Sequence, residues 1–168
     1  MTLEDFAYLA QILGAATIFS GAAFALYQLS EYRKQRQELV ASDLMKTFYS
    51  PELAKAVTLI RTLPDDASVE DVKRLGVEGE LAAIQLCHTY ETMGVLVHER
   101  IAPYKLVEQL AGGILTVMYC KLRVWLEAVR EEQDQPSWAE WFQWLAERLM
   151  ERKRQVEPAH KKYRDWQP

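Results

Sequence analysis

The chain has 168 residues, a formal net charge of -4 at pH 7 and two cysteines. That charge is too small to steer the protein toward nucleic acid. Cys87 and Cys120 stand far apart, outside any CxxC or metal-ligand spacing, which excludes a disulfide framework and suits buried thiols in a reducing compartment.

The first predicted element is a span. From Phe6 to Leu29 no side chain is charged. At about 1.5 Å per residue, two dozen helical residues reach roughly 36 Å, enough to cross a hydrocarbon core of about 30 Å with some tilt. Ala23-Phe24-Ala25 has the small-x-small form of a signal-peptide cleavage site, but the flanks argue for an uncleaved anchor. Glu4 and Asp5 precede the run and Arg33, Lys34 and Arg36 follow it. By the positive-inside rule the short N-terminus is expected outside a bacterial inner membrane, with the rest of the chain in the cytoplasm.

On a helical wheel Gly14, Thr17, Gly21 and Gln28 fall within about 60° of one another, with Ala25 beside them, while Tyr8, Ile12, Phe19 and Leu26 gather elsewhere. Small residues let backbones approach, and the amides of Gln11 and Gln28 prefer partners to lipid, so this face is a candidate oligomerisation surface. The alternative is an Ala-rich anchor that merely spans.

No Gly or Pro interrupts the chain from Ala22 to Ser50, which predicts that the span continues as a helical stalk. Ser50-Pro51-Glu52 opens a second helix expected to run to about Leu63. Ser68 and Asp71 resemble a capping arrangement for a short helix that Gly76 closes. From about Val77 to Val97, apolar residues on more than one side (Leu81, Ile84, Leu86, Cys87, Met93, Leu96) suit a central helix. Another long helix begins near Pro103, where Gly112-Gly113 predicts a kink or a close helix contact. Ser137 and Glu140 form a capping box for a last helix whose Trp141, Phe142 and Leu145 make an inward stripe.

The expected class is therefore all-α. Residues 1–29 supply the N-terminus and transmembrane helix, 30–49 the stalk, 50–157 a cytoplasmic bundle of about four to five helices, and 158–168 a basic tail. From Arg148 to the end, seven basic residues face three acids. Such a segment is either a solvated helix end or a contact for anionic headgroups.

Chemistry has few places to reside. His88 and Glu91 share a helix face at metal-site spacing, but in reversed order and without the further glutamates of a carboxylate bundle. A structural hydrogen bond or ion pair is the plainer reading of that pair. Arg154 and His160 loosely resemble the Arg-x(4 to 6)-His signature of HEPN-type ribonucleases, with Pro158 between them. Trp138 and Trp144 are the surface candidates among the late aromatics and would serve a partner. No cofactor is expected.

Phe48 through Pro51-Glu52-Leu53, Tyr90-Glu91-Thr-Met-Gly94, Leu96-Val97, Ile101, Leu106, Lys121-Leu122, Arg130, and Trp141-Phe142 with Leu145 resemble an uncharacterised prokaryotic family of small membrane-anchored proteins, domain of unknown function 4760. The resemblance covers most of residues 40 to 150 and implies a fold and an anchor without an assigned activity. In architecture alone the chain is also similar to membrane accessory proteins of RNA-targeting CRISPR systems, which assemble as pores. The expected function is a non-enzymatic, self-associating scaffold or effector at the inner membrane, set in bacterial phage defence, with a pore as one version. A tethered ribonuclease using Arg154 and His160, or a module recruiting a cytoplasmic protein, are the alternatives.

Overall fold

The computed structural model describes residues 3–48 and 50–167. The side chains of Glu4, Asp5, Tyr8, Ile12 and Arg33, invoked above, lie outside the described residues. Among the described residues there are seven helices and no strand, so the protein is all-α. Contacts divide the chain into two units, the residues up to Leu39 and Val40–Pro168.

Among the described residues the first unit is helix alone. Helix α1 runs Leu3–Phe48 without interruption, as the lack of Gly and Pro after Ala22 predicts for the stalk. Leu13–Arg36 is long and apolar enough to cross a membrane, and no part of its apolar window is buried. At 24 residues it exceeds the length a hydrocarbon core requires.

The second unit holds the core. It begins with the end of α1, which contributes Leu44 to the buried cluster. Helix α2 (Pro51–Ile60) starts as expected: the Ser50 hydroxyl accepts the Leu53 amide at 3.1 Å and Pro51 opens the first turn. It ends at Ile60 rather than Leu63, because Thr62 and Leu63 tighten into i to i+3 turns that bury the Leu63 side chain.

Helix α3 (Val69–Arg74) has both arms of the Ser68–Asp71 capping box. Serine and the peptide amide also hold the Asp71 carboxyl below its usual range. Gly76, at φ +73°, turns the chain straight into α4 (Gly76–His98), a backbone geometry that costs a residue with a Cβ.

Helix α4 is central, packing against α2, α3, α5 (Tyr104–Glu132) and α6 (Glu140–Gln155). Its buried positions, Gly79, Ala82, Ala83, Leu86, Cys87, Tyr90, Met93, Gly94 and Val97, follow the three-four rhythm of one broad face. Leu81 and Ile84 lie off that face and are exposed, so the apolar pattern there overstated the core.

In α5, Gly112 and Gly113 leave the helix unbroken. A Cβ on Gly112 would stand 3.4 Å from Leu149, whereas one on Gly113 would meet nothing within 4 Å, so any helix contact here involves Gly112 alone. The loop before α3 docks on α5 as well. Asp66 and Ala67 amides donate to the carbonyls of Cys120 and Lys121 at 2.8 and 2.9 Å. Lys121 reaches back to the Leu63 carbonyl, and Arg123 pairs with Asp66, lowering that carboxyl's pKa. After Pro158 a single turn, α7 (Ala159–Lys162), lies in an exposed segment.

Candidate functional site

A cluster of polar groups gathers where α4 meets the start of α6. The expected Ser137–Glu140 capping box does not form. Ala139 takes a left-handed conformation (φ 55°), which starts the helix at Glu140 and makes that residue its first rather than its third. Ser137 therefore precedes the helix by a turn, with its carbonyl accepting the Glu140 amide at 3.3 Å.

The acceptor comes from α4 instead. Glu91 Oε2 takes the Phe142 amide at 2.8 Å, satisfying a donor that a helix start otherwise leaves open. Burial raises the Glu91 carboxyl above its usual range, against the opposing pull of the Phe142 and Trp141 amides. One turn on, Gly94 lets the two backbones touch, since any Cβ there would overlap the Trp141 carbonyl. Tyr90 stacks on Phe142 at 5.1 Å between ring centroids, and Tyr119 meets the same ring edge-on. Tyr90-Glu91-Thr-Met-Gly94 is thus a seat for the start of α6.

Arg130 fastens the other side. Its Nε donates to the Trp138 carbonyl and its Nη1 to Gln143, both at 2.7 Å. Gln143 passes the chain on to Glu147 at 2.9 Å, which lies near the Tyr119 hydroxyl. Burial and Glu147 push the Tyr119 phenol up to about 12. Among the described residues, the buried Tyr90 OH and Arg130 Nη2 have no hydrogen-bond partner.

His88 and Glu91 line one hollow of about 290 Å³ together with Gln135, Ser137, Trp138 and Ala139. His88 is exposed, whereas Glu91 is committed to the α6 amide. Among the described residues no three or more His, Cys, Asp and Glu side chains converge on a point. His88 also borders a larger open groove of about 480 Å³ beside Asp43, Leu44 and Met93. Cys87 is fully buried, and burial pushes its thiol up, away from nucleophilic use.

Arg154 closes α6 and His160 sits in α7, on either side of Pro158, both exposed. Trp138 and Trp144 are half-buried. Trp138 packs edge-on to Trp125, and Trp144 lies in a cluster with Trp141 and His98, with the Arg148 guanidinium 4.6 Å above its ring. Gly14, Thr17, Gly21, Ala25 and Gln28 are all exposed along α1. The Thr17 hydroxyl donates to the Leu13 carbonyl at 2.8 Å.

Sequence reasoning gave the His88–Glu91 pair a structural hydrogen bond without finding Glu91's partner, and it missed Arg130 as a clamp. Each joins segments with no local pattern in common, and only the unusual presence of charge beside buried residues hinted at either.

These features define an all-helical protein led by an apolar helix long enough to span a bilayer, with a site built to hold helices together. Over residues 15–149 the chain matches the family described as Domain of unknown function (DUF4760), and it belongs to that family. No curated protein matches the chain, and neither does any solved structure.

Proposed function

We propose that this protein is a non-enzymatic scaffold or effector, anchored in a bacterial inner membrane by the charge-free run Phe6–Leu29 and self-associating through Gly14, Thr17, Gly21, Ala25 and Gln28, in the setting of phage defence. The observation that carries the reading is the bare small-residue face of α1: added Cβ atoms at Gly14 and Gly21 would meet nothing within 4 Å. Small residues there let the backbone of a second helix approach closely, and the packing gained favours association. The N-terminus is outside in this reading and the second unit cytoplasmic, following Lys34 and Arg36.

The most conspicuous polar cluster supports a non-enzymatic role, because its carboxylate and guanidinium already hold backbone groups of α6 and its approach. The Thr17 hydroxyl is satisfied within its own helix, so tight packing explains that residue without a pore. The pore version requires Thr17, Ser20 and Gln28 to face water, which cysteine-accessibility labelling decides.

Crosslinking of the full chain in membranes tests the reading. Oligomers should form and should diminish in Gly21→Leu; monomers alone, from both the parent chain and the variant, would remove it.

A further inference from the structure

Charge in this chain is segregated. From Arg148 onward, seven basic residues outnumber three acids, whereas the residues before Arg148 hold 13 basic and 21 acidic side chains. Some of these cations have structural work. Lys153 donates to the buried Thr116 hydroxyl, Arg152 lies 3.5 Å from Glu108, and Arg148 covers Trp144. Arg154, Lys161, Lys162 and Arg164 make no ion pair among the described residues.

Aromatic exposure coincides with these unpaired cations. In the second unit the rings of Tyr90, Trp125 and Phe142 are buried, yet Tyr163 and Trp166 are 56% and 69% exposed. Lys162 Nζ stands 5.2 Å from the Tyr163 ring, so one of these cations lies beside an exposed aromatic ring. Trp and Tyr among Lys and Arg suit the boundary between headgroups and acyl chains, where ring bodies find apolar contact and ammonium groups find phosphate.

We infer that residues 154–166 form an arm that docks on an anionic bilayer surface. Arg154, Lys161, Lys162 and Arg164 bind lipid phosphates, and Tyr163 and Trp166 enter the headgroup boundary. A lipid surface is favoured over RNA because the same chain carries a membrane-length apolar helix. Tethering by that helix holds the arm at a high effective concentration of headgroups, and in this respect the inference rests on the anchor reading.

The test uses the full chain in nanodiscs of phosphatidylcholine, with or without phosphatidylglycerol, containing brominated acyl chains. The Trp166 signal is the difference in emission between the parent chain and Trp166→Phe. Quenching of Trp166 is expected in the anionic discs. It should be lost in neutral discs, at high salt, and in the triple variant Lys161→Gln, Lys162→Gln, Arg164→Gln. Quenching that is absent, or equal in both lipids, overturns the proposal, as does preferential release of the arm from anionic lipid by single-stranded RNA. Failure of the anchor reading is seen separately, as a chain that does not co-elute with discs. In that case phosphatidylglycerol-containing vesicles with brominated acyl chains, added to the soluble chain, must still quench Trp166, and must bind the triple variant on the order of a hundredfold more weakly; otherwise the arm is not a lipid contact.

Discussion

Glu91 Oε2 and the Phe142 amide are 2.8 Å apart although 51 residues separate them in the chain. A side chain of the central helix thus caps the start of α6, a task usually done by the helix's own preceding residue. Replacing Glu91 by alanine leaves that amide without an acceptor and should cost about 1–2 kcal/mol. Glu91→Gln keeps a carbonyl oxygen in place and should cost less than half as much. Chemical unfolding of the full chain in detergent micelles compares the two.

The same carboxyl confers a pH dependence of determined sign. Burial raises its pKa in the folded chain, so the native state binds the proton more tightly than the unfolded one. Its contribution to stability is fully present below the unfolded carboxylate range and is lost as pH rises through the raised folded value. Subtracting the unfolding free energy of Glu91→Gln from that of the parent isolates this group. The difference should fall from acid toward neutral pH; a rise would mean that the amide hydrogen bonds outweigh burial.

Gly94 and Gly113 make an opposed pair. A methyl group at Gly94 would overlap the Trp141 carbonyl, whereas at Gly113 it would meet nothing within 4 Å. Gly94→Ala should therefore separate α4 from α6 and destabilise by about 1–3 kcal/mol. Gly113→Ala, at an exposed site inside a long helix, should stabilise by about 0.5–1 kcal/mol. Paired thermal melts with opposite shifts are the expected result.

Tyr90 offers a substitution that removes a polar atom without losing packing. Its hydroxyl is buried and unpartnered while its ring stacks on Phe142. Tyr90→Phe keeps the stack and should stabilise the fold by about 1 kcal/mol, read from denaturant midpoints at constant m-value.

The proposed assembly makes its own demand on α1. Gly21→Leu adds bulk to the small face while leaving the span apolar, so membrane insertion should persist as crosslinked oligomers disappear. Carbonate extraction of the membrane fraction reports the first outcome and crosslinking the second.

Local features were legible from residue order because their causes are local. A charge-free run, the Ser50-Pro51 start, the Ser68–Asp71 capping box and the left-handed Gly76 each depend on neighbours within about one helical turn. The central position of α4 was also readable, since its apolar rhythm required neighbours. Tertiary structure alone decided what capped α6. Ser137 and Glu140 had the right identities, but the left-handed turn at Ala139 moved the helix start from Ser137 to Glu140 and left the Phe142 amide to Glu91. The roles of Arg130, of Gly94 and of the Asp66–Arg123 pair were decided in the same way. A donor buried by folding takes whichever acceptor the packed helices bring within reach, and that distance is set by the whole core rather than by spacing along the chain.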